Sequence, residues 1–340
     1  MQFAQEPAPI ADPPQAGVLL ANLGSPAAAK ASAVRSFLRE FLADPRVVEL
    51  PRLRWWLIRN LLILPFRPFR TARAYRQIWT EGESPLIATC RRTAADLEWL
   101  LGQGFGSPIP VFCGMRYGKP SLTAALGVLR QRGCRRILVL PLYPQYSGTT
   151  TASVFDEVFR KLSSWRRVPE IRTVASYHDH PLYIQALASS VNQVWSENDR
   201  PSKLLVSFHG LPSRYVDAGD PYENQCNTTA ALFAKALDFD SDKITTAFQS
   251  RFGRESWIGL DTALLLKEWG RDGLQGLDVI CPGFASDCLE TLEEIDIRGR
   301  KIFGKNGGKG FRYVPALNHR PDHIAALAEI ASDHLGGWIV

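Results

Sequence analysis

Three carboxylates near the end of the chain are spaced so that they could act together on a metal ion or a proton. They follow the short apolar run Leu277–Cys281, which predicts a buried strand closed by a Pro-Gly turn. In a helix of about 3.6 residues per turn, Asp287, Glu290 and Glu294 would lie within about 60° of arc, opposite the core face. Because open α/β sheets bind ligands at the carboxyl ends of their strands, a site here is one interpretation of the spacing.

A simpler interpretation of these carboxylates stays open. Asp287 and Glu290 have the spacing of a capping box, in which both side chains would only cap the helix and interact with its dipole. Glu294 would then be a solvated surface charge. Phe284, a large apolar side chain just before the predicted helix, shifts the balance towards a lined pocket beside the carboxylates.

One histidine is placed in an equivalent setting. His209 directly ends the continuous apolar strand predicted at Lys203–Phe208, and Gly210 leaves room beside the imidazole. A neutral imidazole can accept a proton or ligate a metal, although a lone histidine at such a position is more often structural. The other five histidines fall in turns or on helix surfaces, and no local spacing assembles a three-ligand zinc site.

Strand-length apolar runs alternate with segments of helical periodicity along most of the 340 residues. This alternation predicts an α/β fold with two doubly wound domains, each a parallel sheet flanked by helices. We expect residues 16–165 and 315–340 to form the first domain and 166–314 the second, with a mobile loop at Arg298–Gly310. The predicted strands are Gly17–Asn22, Ile109–Met115, Ile137–Leu142, Ile171–Ala175, Lys203–Phe208, Ile244–Phe248 and Leu277–Cys281.

The segment Leu50–Thr80 has the most unusual composition in the chain. It holds seven arginines and no acidic residue, interleaved with aromatic and aliphatic side chains such as Trp55 and Trp56. One interpretation is an amphipathic helix pair packed on its own domain, with the arginines in solvent. The other is an apolar face that contacts a membrane surface or a greasy ligand. Pro65 and Pro68 interrupt the segment, so we do not expect it to span a bilayer.

Composition excludes few functions, but it bears on whether the protein binds nucleic acid and on the cellular compartment in which it works. The net charge is +6, yet Lys and Arg are spread along the chain, so nucleic-acid binding is not demanded. The six cysteines show neither a C-x-x-C pair nor zinc spacing, which suits free thiols in a reducing cytoplasm. Residues 1–14 contain no apolar signal segment. We therefore expect a cytoplasmic protein, with peripheral contact at the inner face of the membrane as the further option.

Taken together, several motifs resemble the ferrochelatase family, whose members insert ferrous iron into a porphyrin in haem synthesis. The resemblance runs from about residue 16 to residue 335, and the motifs around His209 and Glu290 are specific in combination. The matching stretches are Val18–Pro26, Met115–Tyr117, Leu140–Tyr146, Ser207–Pro212, Gly219–Tyr222, Phe248–Gly253 and Phe284–Glu294.

The resemblance implies two Rossmann-like domains of the chelatase type, with protoporphyrin IX in the cleft between them. It implies that His209 and Glu290 contact the metal and carry the essential proton chemistry, and that Leu50–Pro65 lies at the lip of the cleft. Six further residues fall on positions that, by similarity, lie near the macrocycle: Leu23, Arg116, Tyr117, Tyr222, Trp257 and Phe284.

The chemistry of iron insertion agrees with these residue types. The reaction removes two pyrrole protons and strips water from Fe²⁺. An imidazole can accept a proton or ligate iron, and carboxylates one turn apart, such as Glu290 and Glu294, would form a line that passes protons outward. A rigid apolar cleft would favour a bent macrocycle with an exposed nitrogen lone pair.

Two departures from the family are visible. Many relatives have histidine where this chain has Cys288, so a second imidazole is missing. Some relatives bind a [2Fe–2S] cluster through cysteines near the C-terminus, but no cysteine follows Cys288, so we expect Fe²⁺ only as a substrate and no such cluster.

The alternatives are a porphyrin- or haem-binding carrier of the same fold, and a chelatase for another metal or another porphyrin such as coproporphyrin. A carrier would need the cleft without the proton relay. A nucleotide-sugar or phosphate-handling enzyme would need a glycine-rich phosphate loop, which the sequence lacks. The expected partners are thus protoporphyrin IX and Fe²⁺, with peripheral membrane contact and no nucleic acid.

Overall fold

A computed structural model describes residues 3–7, 14, 16–253 and 255–339. Most of residues 1–14, in which the sequence predicts no signal segment, lies outside the described residues. The chain divides into two units. Unit 1 holds the described residues up to Tyr143, then Gly148–Ala175, then those from Ile324 onward, and unit 2 holds Pro144–Ser147 and Ser176–His323.

Unit 1 is built on a four-stranded parallel sheet with the order β2-β1-β3-β4. Its strands are β1 (Gly17–Asn22), β2 (Val111–Met115), β3 (Arg136–Pro141) and β4 (Glu170–Thr173). Every residue of β1 is buried, as expected for a strand covered on both faces. The assignment of the strand at residues 171–175 to the second domain is wrong, because β4 pairs with β3. Alternation along the sequence locates a strand but does not decide which sheet it joins.

Unit 2 repeats the arrangement with the order β6-β5-β7-β8. Its strands are β5 (Lys203–His209), β6 (Ile244–Gln249), β7 (Gln275–Ile280) and β8 (Lys309–Val314). Two parallel sheets flanked by helices confirm the predicted fold class.

The mobile loop expected at Arg298–Gly310 is wrong. A helix fills most of the segment, and β8 begins at Lys309. Glycine density suggested a loop, but Gly308 packs against the ring of Phe303, where an added Cβ would come within 2.4 Å of the ring. The glycine is there for close approach, not for mobility.

The helices connect the strands within each unit. No helix in the described ranges combines the length and the apolar character needed to cross a bilayer. The helices are α1 (Ala31–Phe41), α2 (Arg52–Leu57), α3 (Leu64–Ile78), α4 (Pro85–Phe105), α5 (Leu122–Gln131), α6 (Ser153–Leu162), α7 (Pro181–Ser196), α8 (Ser213–Asp217), α9 (Tyr222–Leu237), a 3₁₀ turn (Ser241–Lys243), α10 (Thr262–Arg271), α11 (Arg300–Lys305) and α12 (Pro321–Leu335).

Three further stretches of the described chain are π-helical: Ile58–Ile63, Gly148–Ala152 and Leu289–Gly299. A π-helix closes its hydrogen bonds from residue i to i+5, is rare, and is often found at functional sites. The third stretch occupies the segment for which the sequence predicts an ordinary α-helix beginning at Asp287. The helical wheel drawn for 3.6 residues per turn therefore does not apply to it.

The six cysteines are not all free thiols, contrary to the expectation from their spacing. Cys90 in α4 and Cys113 in β2 form a disulfide, with Cα atoms 6.3 Å apart. They are 23 positions apart in the sequence, so only the tertiary fold reveals the pair. The other four cysteines are free and buried.

Candidate functional site

His209 stands at the carboxyl end of β5, the strand that lies between β6 and β7 in the sheet of unit 2. Its Nδ1 is 2.7 Å from the carbonyl oxygen of Gly210. Because a carbonyl oxygen can only accept, Nδ1 carries the proton in the neutral ring, and Nε2 keeps its lone pair. The half-buried imidazole is thus held in the tautomer that can accept a proton or ligate a metal through Nε2.

The backbone directly after β5 is closely packed. A Cβ added at Gly210 would lie 2.7 Å from the carbonyl oxygen of Gln249 and 3.0 Å from the ring of Trp257. Trp257 also pairs with Pro212 through an isolated bridge. The small residue after His209 therefore allows the indole to lie directly beside the strand end, and the contact of Trp257 with a macrocycle stays a prediction.

Two more aromatic residues surround the histidine. The ring of Phe284 lies 6.4 Å from the imidazole, measured between centroids. Tyr222 is buried, and its hydroxyl lies against the backbone of His209. Burial raises the pKa of Tyr222, and the neighbouring Cys226 adds to the effect, so the phenol stays neutral. Unit 2 thus brings together His209 and three of the aromatic residues predicted from the sequence.

Gln249 connects the histidine strand with the π-helix, and sequence reasoning missed it as a site residue. It ends β6 opposite His209 in the parallel register. Its Nε2 donates to the carbonyl oxygen of Glu290 at 2.8 Å, and its Oε1 accepts from the hydroxyl of Ser207 at 2.9 Å. The sequence offered one signal for Gln249, which is a polar residue at the end of a strand of β-branched and aromatic residues.

Glu290 occupies the first turn of the π-helix, two residues after the N-cap residue Cys288. The predicted capping box between Asp287 and Glu290 is wrong by one residue. It is Cys288 that caps, with its backbone N–H donating to the hydroxyl of Thr291 at 3.0 Å. Burial and the adjacent Glu290 carboxylate raise the pKa of the Cys288 thiol well above its usual value. The chain therefore holds a neutral thiol at position 288.

Asp287 does not belong to the carboxylate group that the sequence suggested. Its Oδ1 accepts from Tyr313 at 2.7 Å and from Thr291 at 2.9 Å, and its Oδ2 accepts from Asn318 at 2.8 Å. The helix begins after it, so the residue anchors the loop that follows β8. This correction has a physical cause: a buried carboxylate must be satisfied, and three neutral donors do so here.

Glu294 lies further along the π-helix and is held by one residue. Its two oxygens accept from the backbone N–H of Ser250 at 2.9 Å and from the Ser250 hydroxyl at 2.7 Å. Arg298 lies 3.6 Å away. The carboxylate borders a cavity of about 110 Å³ whose lining includes Gln249 and Asp261. Glu290 and Glu294 therefore follow each other along one helix, as predicted, but with turns wider than in an α-helix.

In unit 1 the predicted macrocycle contacts Arg116 and Tyr117 lie in a closed polar network. Tyr117 is buried and donates to a carboxylate oxygen of Asp44 at 2.8 Å. The Arg116 guanidinium forms an ion pair with the same carboxylate and also donates to Ser153 at 2.7 Å. Both side chains are occupied in holding the loop after α1, so their role toward a substrate stays a prediction.

Leu23, the sixth predicted contact, follows β1 and is half-buried. Its carbonyl oxygen accepts from the backbone N–H of Tyr117 at 2.9 Å. This bond fixes the turn after β1 against the turn after β2. Across the described residues, no group of three or more His, Cys, Asp or Glu side chains is arranged to hold a metal ion.

Comparisons with known proteins agree with the motifs. A profile of the ferrochelatase family matches residues 15–335. A ferrochelatase of Nitrosococcus oceani is 52% identical over 322 residues, which cover 95% of this chain and 87% of that protein. A ferrochelatase of Methylobacillus flagellatus is 46% identical over 338 residues, covering 99% and 98% of the two chains.

Among solved structures, SirB from Bacillus subtilis with Fe³⁺ superposes with a TM-score of 0.54 at 12% identity, covering 95% of this chain and 98% of the other. At that identity the likeness concerns the fold alone, which is the two-sheet arrangement described above. The profile match over nearly the whole chain and the identity of about half to curated relatives decide the family. This chain belongs to the ferrochelatase family.

Proposed function

We propose that His209 and Glu290 carry out the insertion of ferrous iron into protoporphyrin IX in this chain. The reaction is that of the family to which the chain belongs, the terminal step of haem biosynthesis, and it makes the enzyme a lyase of the metal-chelatase class. The observation that carries the proposal is the tautomer of His209, whose Nδ1–H is committed to a carbonyl while Nε2 keeps its lone pair.

Each group has a defined task in the reaction. Nε2 of His209 accepts one pyrrole proton as the iron–nitrogen bonds form, because the Nδ1–H bond to the Gly210 carbonyl oxygen leaves its lone pair available, and the second proton passes to the carboxylate line of Glu290 and Glu294. The Glu290 carboxylate replaces water on the incoming Fe²⁺, since carboxylate combined with imidazole is an established ligand pattern for Fe(II). Glu294 passes protons outward, because it borders a cavity open to further polar side chains.

The residues around His209 suit a flat, apolar substrate. Tyr222, Trp257 and Phe284 bring three aromatic side chains to the strand end that carries the imidazole. Apolar walls of this kind favour a macrocycle and reject a hydrated ligand. We assign the same role to Leu23, Arg116 and Tyr117 by resemblance only.

A carrier without catalysis is not favoured, since the relatives that match most of the chain are named as enzymes. The preferred porphyrin remains to be measured. We expect purified protein, kept anaerobic with Fe²⁺, to quench the fluorescence of protoporphyrin IX and produce the absorption bands of haem. A parallel assay with coproporphyrin ranks the two substrates by kcat/KM. Unchanged fluorescence with both porphyrins would refute the chelatase proposal.

We also propose that Leu50–Pro65 makes peripheral contact with an anionic membrane, as the inner-face location expected from the sequence requires. Within it, α2 and the π-helix Ile58–Ile63 expose large apolar side chains, among them Trp56 and Leu62. The segment carries arginines and no acid, each attracted by roughly 1 kcal/mol near anionic lipid. An apolar face flanked by arginines is the pattern of an interfacial helix.

The two adjacent tryptophans differ in their surroundings, so they distinguish a role at the protein surface from a role in packing. Trp56 is 51% exposed, whereas the indole N–H of Trp55 donates to the carbonyl oxygen of Leu42. We expect Trp56→Ser to lower binding to vesicles containing phosphatidylserine several-fold at unchanged Tm. The matched control is Trp99→Ser on α4, where the side chain is 66% exposed outside this segment. Equal loss in both variants, or no loss in Trp56→Ser, would contradict membrane contact.

The expectation that no [2Fe–2S] cluster is bound stays a prediction from the position of the last cysteine, Cys288. The purified protein should lack the charge-transfer absorption of such clusters in the visible range. Stoichiometric inorganic sulfide in the same preparation would overturn it.

A further inference from the structure

Two adjacent residues at the end of β6 bind the π-helix at two points, the backbone carbonyl oxygen of Glu290 and the carboxylate of Glu294. We propose that Gln249 and Ser250 act as a clasp, a pair of positioning residues that hold the helix Leu289–Gly299 in register and so place Glu290 relative to His209. The inference rests on the proposed function of His209 and Glu290, and it adds residues to which neither the motifs nor the comparisons give a role.

The first half of the clasp is an amide with a fixed orientation. Gln249 is 2% exposed. Its Oε1 accepts from the Ser207 hydroxyl at 2.9 Å and from the Cys281 thiol at 3.6 Å, with the oxygen therefore facing two donors. Its Nε2 is left to face the Glu290 carbonyl oxygen, to which it donates at 2.8 Å. The flipped orientation does not satisfy these partners, because Oε1 cannot donate to the Glu290 carbonyl oxygen.

Ser207 is itself supported from behind. It is fully buried in β5, and its hydroxyl lies 2.9 Å from that of Thr262, the first residue of α10. A chain of hydrogen bonds thus runs from α10 through β5 and Gln249 to the backbone of the π-helix. Buried polar chains that are fully satisfied make the geometry around them rigid and unique.

The second half of the clasp is a strained serine. Ser250 has φ +65°, in the left-handed region that residues other than glycine seldom occupy. This conformation directs both its N–H and its hydroxyl at Glu294, at 2.9 and 2.7 Å. Backbone strain of this kind persists only where surrounding contacts impose it, and it gathers at functional sites.

The clasp ties the helix to the same strand end that carries the imidazole. Gln249 stands opposite His209 in the β5–β6 register, and its carbonyl oxygen accepts from the N–H of Gly210 at 2.8 Å. One residue thus contacts the backbone beside His209 and the backbone of Glu290. The bond from Gln249 fixes the first turn of the π-helix to the end of β6, so its loss would let Glu290 shift relative to His209.

The test begins with Gln249→Met, which keeps the volume and removes both sets of hydrogen bonds. We expect kcat for iron insertion to fall about 10- to 100-fold, the usual cost of losing a group that orients a metal-contacting residue. The KM for porphyrin should change less than threefold, since the aromatic walls are intact. Ser250→Ala, which removes only one of the two bonds to Glu294, should give a smaller loss of the same kind.

Hydrogen exchange supplies a readout that a general loss of stability would not produce. In Gln249→Met, the amides of Leu289–Gly299 should exchange at least tenfold faster, while those of β5 and α9 keep the parent rates. The matched control is Gln275→Met, at the exposed start of β7, where the side chain donates only to the nearby Gly273 carbonyl. It should leave both kcat and exchange unchanged.

Parent kcat in Gln249→Met, or faster exchange spread over the whole of unit 2, would overturn the clasp. Hydrogen exchange is measured without substrate, so it tests the clasp even if the parent enzyme inserts no iron. In that case only the proposed function fails. Should Gln249→Met not fold, Ser250→Ala and Ser207→Ala carry the same comparison, and uniform exchange in both would refute the proposal.

Discussion

The two sheets share one topology, yet their strand ends are chemically opposite. In each unit the first strand is central, the second lies on one side, and the third and fourth follow on the other. In each, a π-helix follows the third strand, at Gly148–Ala152 and at Leu289–Gly299. In unit 1, however, the turn after β2 is bonded to a carboxylate that is saturated with donors, whereas β5 of unit 2 ends in an imidazole that keeps a lone pair.

The saturated carboxylate of unit 1 is Asp44. Burial acts to raise its pKa, but the hydrogen bonds from Ser153 and Tyr117, and then the charge of Arg116, outweigh burial and hold the pKa below its usual range. Such a group neither takes nor gives a proton near neutral pH. At His209, by contrast, one nitrogen is fixed and the other is left available. The same topology therefore supports rigidity in one unit and proton chemistry in the other.

The largest expected effect tests that contrast directly. His209→Ala should lower the rate of iron insertion by about 10²- to 10⁴-fold, the range for loss of a general base, with porphyrin binding largely intact. Tyr117→Phe, in the turn after β2 of unit 1, should lower it far less. Insertion rates and porphyrin fluorescence titrations measure both. Near-parent turnover in His209→Ala would end the assignment of the reaction to unit 2.

The next effect compares two neighbours on the π-helix. Glu290→Gln should cost about 10²-fold in kcat, because a ligand and proton carrier is lost while the hydrogen bond from Gln249 to its backbone remains. Glu293→Gln should be nearly neutral, because that side chain forms an exposed ion pair with Arg298 at 3.2 Å. Steady-state kinetics on both variants decide the point. Equal losses would mean that these carboxylates serve the helix and not the reaction.

Asp44→Asn tests the comparison through the free energy of unfolding instead of the rate of the reaction. Breaking a buried ion pair costs about 3 kcal/mol or more, so urea unfolding should show a loss of that order, with a smaller change in kcat. Because the folded-state pKa of Asp44 lies below its ordinary 3.8, its contribution is complete above that value and is lost as pH falls through the folded pKa. The parent should therefore lose its advantage over the variant in strong acid. A constant difference at every pH would contradict this origin.

Much of the fold follows from the sequence because buried parallel strands are continuous apolar runs. β1 begins and ends where the sequence predicts, and β5 extends the predicted strand by His209 alone. β8 was missed because its residues include Lys309, Gly310 and Arg312 at a sheet edge, where polar side chains are tolerated. The sheet to which β4 belongs is a tertiary property that no local pattern carries.

The sequence pointed to residues of the candidate site that could do chemistry, but it did not point to the residues that hold them in place. His209 and Phe284 could be found because residue type and position at a strand end were informative. Asp287 was misplaced, since the wheel assumed an α-helix and the π-helical start after Cys288 has no known sequence signature. Gln249 escaped because an amide does no chemistry itself; its importance appears only when its hydrogen-bond partners are known.

A second histidine of unit 2 provides the smallest and sharpest contrast. His323, like His209, directs Nδ1 at a carbonyl oxygen, that of Asn318 at 2.6 Å. Unlike His209, it is 1% exposed, and burial lowers its pKa to about 4 from the ordinary 6.5. His323 therefore makes the same kind of hydrogen bond as His209, but the fold keeps its imidazole neutral and shielded from water.

The consequence is a stability that depends on pH. As pH falls below 6.5, the unfolded chain binds a proton that the folded chain refuses until about pH 4, so stability is complete above 6.5 and declines through this window. Between pH 7 and pH 5 the loss amounts to about 2 kcal/mol. His323→Asn keeps a donor for the Asn318 carbonyl but does not titrate, so its unfolding free energy should stay level over that range. Urea titrations at pH 5, 6 and 7 compare the two slopes, and parallel slopes would show that other groups, such as the adjacent Asp322, cause the decline.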